Sequence, residues 1–223
     1  MSGAVRRAPC VVSVAEHTGW AHLVCVSAHG RVPAVIERRR VTLIDPGLPT
    51  QPYEHDTMAM REDEADDLIA RVQKSVSACS VRALERLVGE LAPVSPVVAL
   101  AIREPPFPSI PASVAAVHAS YQLRCSADGM LYQQAICRAA RRLKLSVQLC
   151  KRGEESARAA EQLGLTPDAV EGFVTHSGRP AGPPWTEEHR RAFAAGIAAL
   201  APHVRGRLSL ARLSASSRRS LHN

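Results

Sequence analysis

"VVALAIREPPFPS", residues 97–109, decides the architecture. From Val97 to Ile102 every side chain is apolar, with no polar residue at alternate positions. A half-buried antiparallel strand alternates; an unbroken apolar run of this length, closed by prolines, is a strand covered on both faces, as in the parallel part of a sheet. Such a strand needs a parallel neighbour and helices above and below it. It also stops on a lone acid, Glu104, held between Arg103 and Pro105.

Outward from this strand, periodicity supplies the partners. Upstream, "CVVSVAEH" and "WAHLVCVS" are short β-branched runs separated by Thr18-Gly19, and "RVPAVIERRRVTLID" follows His29-Gly30, so Cys10 to Ile44 is expected to be a three-stranded antiparallel meander. Glu62 to Leu91 has helical spacing, with Leu68, Val72, Val76 and then Leu84, Leu87, Leu91 on apolar stripes and an expected interruption near Cys79. Pro93 and Pro96 end it. Downstream, a second helix is expected from Ala127 to Leu143, a short strand at "LSVQLC" (145–150), then further helices, the last from Glu187 to Leu200. The fold class is therefore α/β: a mixed sheet made of a meander followed by strands alternating with helices, helices on both faces. Its first and fourth strands, Cys10–Glu16 and Val97–Glu104, are expected to lie side by side and parallel. The expected organisation is an arm over 1–9, one domain over 10–201 and a basic tail over 202–223.

Composition narrows the class. With 46% apolar residues in 223, one core of ordinary density is available. No stretch approaches the roughly 20 apolar residues of a membrane span, and His17 interrupts the N-terminal segment too early for a signal peptide, so a cytoplasmic location and no membrane partner are expected. Six scattered cysteines without a CxxC pair read as buried thiols. The chain carries 28 Lys and Arg against 21 Asp and Glu, net +7. Eight acids and one Arg lie between Asp45 and Asp67, so the remainder is more basic than the average. Arg138, Arg141, Arg142, Lys144, Lys151 and Arg152 form one basic group, and Arg205 and Arg207 open a tail without acids from His203 onward. Both groups are candidates for nucleic-acid phosphate; a solvated helix face and a solvated chain end are the plain alternatives.

If the first and fourth strands are neighbours, their terminal acids matter. Glu16 shares strand parity with Val12 and Val14, and Glu104 with Val98, Leu100 and Ile102. Adjacent strands lie about 4.8 Å apart, so the two carboxylates are placed to converge. Converging carboxylates repel unless a cation or shared proton relieves them, and oxygen ligands of this kind suit Mg²⁺ or Mn²⁺. Each acid has a plainer role too: Glu16 as a solvated hairpin residue, Glu104 as a strand terminator.

The same segments resemble the ribonuclease-H-like superfamily, and within it the RuvC-type Holliday-junction resolvases. "VVSVAEHTGWAHLVCV" looks like that family's first hairpin, "VVALAIREPPFPS" its fourth strand, and "SADGMLYQQAICRAARRLKLSVQL" the helix and strand that follow. The resemblance implies a metal-dependent endonuclease acting on structured nucleic acid, DNA before RNA. Two Mg²⁺ or Mn²⁺ ions would be held by Glu16, Glu104 and Glu188, the basic groups would grip the backbone, and the protein would be a homodimer with Met58, Met60 and the long first helix available as an interface. The chain departs from the family in two places. Glu16 stands where aspartate is usual, and Arg191 occupies the position of the last acid, leaving Glu187, Glu188 or His189 to fill the gap. Acids in a first helical turn also simply complement the helix dipole. A scaffold that has lost catalysis and binds nucleic acid or a protein is the second expectation.

Other motifs carry little. "PYEHD" (52–56) mixes His and carboxylates in an acidic loop; "THSGRP" (175–180) sets Ser beside His without a GxSxG elbow. P-loop and dinucleotide glycine patterns are absent. A single copy of the domain disfavours an actin-like ATPase.

Overall fold

The computed structural model describes residues 7–178 and 182–210. A five-stranded sheet has the order β3-β2-β1-β4-β5, formed by β1 (Cys10–His17), β2 (Trp20–His29), β3 (Val32–Thr42), β4 (Val97–Arg103) and β5 (Ser146–Cys150). β1 pairs antiparallel with β2 and parallel with β4, and β4 pairs parallel with β5. The meander and the juxtaposition of first and fourth strands are thus as expected. Gly19, at φ +89°, makes the tight β1–β2 turn, where a Cβ would lie 2.7 Å from Thr50.

Helices cover both faces. α1 (Glu62–Leu91) and α3 (Tyr121–Arg142) pack on Val12, Val14, Leu100 and Ile102. α4 (Glu155–Leu163), α5 (Pro167–Ser177) and α6 (Glu187–Leu200) pack on Val11, Val24, Ala99 and Ala101; α2 (Val114–His118) is a short turn before α3. Leu100 and Ile102 are 0% and 1% exposed, and burial of each stabilises by roughly 1.5–3 kcal/mol. α6 approaches the sheet closely because position 196 is glycine: a Cβ there would lie 2.5 Å from Val26 Cγ2.

Three expectations are corrected. α1 runs unbroken through Cys79, because Ser75, Cys79 and Arg82 form a polar stripe that holds Asp45: Ser75 Oγ donates to its carboxylate at 2.7 Å and accepts its backbone N–H at 2.8 Å. α3 starts six residues before Ala127, where Ser120 caps it by accepting the Leu123 N–H. β4 ends at Arg103, leaving Glu104 beyond the ladder and exposed. Of the tail expected from residue 202, Leu208 is buried against the α6 side of the sheet, and 211–223 lie outside the described residues. Among the described residues no helix is long and apolar enough to cross a membrane, and the six cysteines are free thiols, Cys125 alone exposed.

Candidate functional site

The carboxyl ends of β1, β4 and β5 meet the first turns of α4 and α6 around a cleft of about 90 Å³. Its charged lining is Glu16, Arg103, Arg152, Glu155, Glu188 and Arg191. Carboxyl-edge clefts are the usual sites of open α/β sheets, because helix starts and loop ends converge there. Two of the three carboxylates expected from sequence are present; the third is not.

The Glu16 side chain is only 4% exposed, and Glu155 is buried in the same lining. Burial raises the Glu16 pKa, and the neighbouring Arg103 guanidinium pulls it back toward the charged form. Arg103 Nη2 lies 2.8 Å from Glu16 Oε1. The contact is an ion pair without an aligned N–H···O bond, since Oε1 receives none. Glu104 follows the strand register level with Glu16, because Val14 pairs with Ile102. The ladder stops before it, its backbone N–H goes to Cys150 O at 2.8 Å, and its side chain is exposed and not part of the cleft wall.

The remaining acids are engaged by the protein itself. Glu188 Oε2 accepts from His17 Nε2 at 3.0 Å, and Glu155 accepts the Gly153 N–H at 2.8 Å. Arg191 donates to Glu187. Arg152 is exposed and makes no ion pair among the described residues. Arg103 and Glu155 line the cleft although the sequence does not single them out, the adjacency of Arg103 to the strand's end being the available signal, and Arg152 is read there only as one of a basic group.

A ring cluster backs the cleft. His17 stacks on Trp20 at 3.8 Å, and Arg40 covers the other side of Trp20 at 4.2 Å. His189 points inward, 1% exposed, against His22 at 4.3 Å and Trp185 at 5.6 Å. His189 Nδ1 accepts the Thr186 backbone N–H at 3.1 Å, so in the neutral ring the proton sits on Nε2, which has no partner. Burial first, then His22 and Arg38, push its pKa down to about 4. It is a helix-capping residue rather than a wall of the cleft.

Most of the two basic groups lies elsewhere. Arg141 and Arg142 form the last turn of α3 and Lys144 follows it; α3 leads into the start of β5, so these cations sit at the amino edge of the parallel strands, opposite the cleft. Arg138 is exposed on α3, and Arg205 lines a groove at that same amino edge. Arg207 lies over Gly164, where a Cβ would be 1.5 Å from its guanidinium. The 52–56 segment is a π-helical turn held by Asp128, not a ligand set.

The Mg²⁺ or Mn²⁺ chemistry that the resemblance implies can be tested on this donor set. A two-metal centre requires several carboxylate oxygens open to dications about 3.5–4 Å apart. Here a guanidinium lies on Glu16, Arg152 and Arg191 line the same walls, and Glu104 stands outside. Among the described residues no group of three or more His, Cys, Asp or Glu is arranged to hold a metal ion. The residues present do not fit that centre.

No family model matches the chain, and no curated protein matches it. Among solved structures, RuvC of Thermus thermophilus aligns over 87% of this chain and 95% of its own, at 14% identity and a TM-score of 0.48. The same protein in complex with a Holliday junction substrate aligns with equal coverage and identity at 0.46. A Ppx/GppA family member from Aquifex aeolicus aligns over 75% of this chain and 41% of its own, at 13% identity and 0.34. The α/β assignment rests on the sheet order and strand directions themselves.

Proposed function

We propose that this protein is a ribonuclease-H-like scaffold that binds nucleic acid without cleaving it. The observation that carries this is the Glu16–Arg103 pair: the carboxylate that β1 delivers to the cleft, its side chain 4% exposed, already has a cation of the chain's own, 2.8 Å away. In-line hydrolysis of a phosphodiester by metal-activated water needs that carboxylate for a metal. With Arg191 in the wall and Glu104 turned to solvent, the cleft lacks the donors for it. Binding has a separate basis: a net charge of +7, and exposed cations at Arg138, Arg141, Arg142 and Lys144 that enter no ion pair among the described residues.

Labelled four-way junction, flap, single-stranded and duplex DNA and RNA, incubated with Mn²⁺ or EDTA, test it. The expected result is a salt-sensitive complex with at least one substrate and intact label. Mn²⁺-dependent cutting that Glu16→Ala abolishes overturns the non-catalytic half, and absence of any complex overturns the binding half.

A further inference from the structure

We infer that the amino edge of the sheet, at the far end of the strands from the Glu16 cleft, holds a nucleic-acid strand by its phosphates. This rests on the nucleic-acid reading above and adds where the strand sits.

β1, β4 and β5 all begin at this edge and β2 ends there, and a groove of about 1150 Å³ opens beside the end of β2, the start of β4 and the 203–205 segment. Its floor is small and apolar: Ala8, Ala28, Pro96, Val98 and Val204. Its polar side chains are Arg7, His203 and Arg205, and no carboxylate lines it. The carboxyl-edge cleft differs on both counts, being small and charge-balanced. A wide groove with cations at its rim and no acid attracts an anion and repels cations. At this size it exceeds an ordinary small-molecule pocket, and with no Phe, Tyr or Trp in its walls and His203 as the one ring it offers no row of base-stacking platforms. A chain of phosphates gripped by its backbone, with sugars over the small apolar floor, satisfies both conditions.

The rim is held in place. Arg7 Nη1 donates to Ala92 O at 3.0 Å, which fixes the guanidinium while leaving other N–H groups for phosphate. Arg31 lies against Gly206, and the Ser209 N–H donates to Arg31 O at 2.8 Å, so the segment carrying Arg205 is tied to the β2–β3 turn. Buried Leu208 anchors the same segment. The edge extends the positive field beyond the groove. Arg141, Arg142 and Lys144 arrive there on α3; part of their charge offsets the negative end of that helix.

β1 has eight residues at about 3.3 Å each, so the two edges are about 25 Å apart and can be altered separately. The test is fluorescence anisotropy of a fluorescein-labelled 20-nucleotide single strand and a 20-base-pair duplex from 50 to 200 mM NaCl. The proteins are the wild type, Arg7→Ala/Arg205→Ala, Arg7→Lys/Arg205→Lys, and a cleft variant, Arg152→Ala/Arg191→Ala. The alanine pair at the groove is expected to weaken single-strand binding about tenfold and lower the slope of log K against log salt by about 1.4, because two fewer phosphates are neutralised. The lysine pair should keep that slope, which separates charge from misfolding, and the cleft variant should stay within twofold. Wild-type binding unchanged in the alanine pair overturns the groove while leaving the nucleic-acid reading standing. A wild type that binds neither probe overturns both.

Discussion

Arg103 and Glu16 meet at 2.8 Å although they lie on opposite faces of paired strands, since Val14 is level with Ile102 and therefore Ala15 with Arg103. The arginine side chain must reach past the end of β4 to do this. β4 ends at Arg103, Pro105 and Pro106 have no N–H to carry the ladder on, and Glu104 is exposed outside the cleft wall. A carboxylate dry enough to have a raised pKa is thereby kept beside a positive charge.

Removing the arginine alone should therefore hurt more than removing the pair. Arg103→Ala leaves a buried carboxylate uncompensated; because the arginine is 39% exposed, the expected loss is about 1–3 kcal/mol, below that of a fully buried pair. In a Glu16→Gln background the same substitution should be nearly neutral. Burial raises the Glu16 pKa, so protonation relieves the unpaired charge, and the Arg103→Ala deficit should shrink between pH 7 and pH 5. Urea melts of the four proteins check this; equal losses in both backgrounds would sink the coupling.

Periodic elements are legible in the sequence and individual side-chain partners are not. The bounds of α1 and α6 and the adjacency of β1 and β4 follow from apolar spacing, which packing on a sheet enforces. The polar run at Ser75–Cys79 reads as a break because sequence shows polarity but not the Asp45 it serves 30 residues away. Strand parity places Glu104 beside Glu16 but says nothing about where a ladder stops. Arg103 falls on the wrong face by the same rule, yet it is the residue that fills the site.

Asp128 presents another buried carboxylate that sequence does not mark, and it is structural. From the middle of α3 it accepts the backbone N–H groups of Tyr53 and Glu54, both at 3.0 Å, pinning the π-helical turn at 52–56. Asp128→Ala orphans two donors, at a cost of about 2–4 kcal/mol, and Asp128→Asn, with one acceptor oxygen, about half that. Burial raises its pKa to about 6 despite those two bonds. A raised carboxyl pKa means the folded state takes a proton first, so wild type should gain about 1 kcal/mol relative to Asp128→Asn between pH 7 and pH 5. Chemical denaturation at the two pH values measures the difference; no gain would place the Asp128 pKa near its unfolded value.

His189 works in the opposite direction on acidification. Its ring is 1% exposed, faces His22 and Trp185, feels Arg38 and Glu188, and commits Nδ1 to the Thr186 N–H, so a second proton is resisted and the pKa falls to about 4. The unfolded chain binds that proton near pH 6.5, so stability is complete above that value and declines as pH falls toward 4, by about 1.4 kcal/mol per unit. His22, also shifted down by burial and by His17, adds to the same slope. Glutamine at 189 preserves the cap, because Thr-x-x-Gln is itself a capping box, and does not titrate. His189→Gln should therefore lose about 2 kcal/mol less than wild type between pH 6.5 and pH 5, read from urea midpoints at constant ionic strength. Parallel pH profiles for the two proteins would show that His189 already accepts its proton in the folded state, and with it that the orphaned Nε2 is not a dry donor.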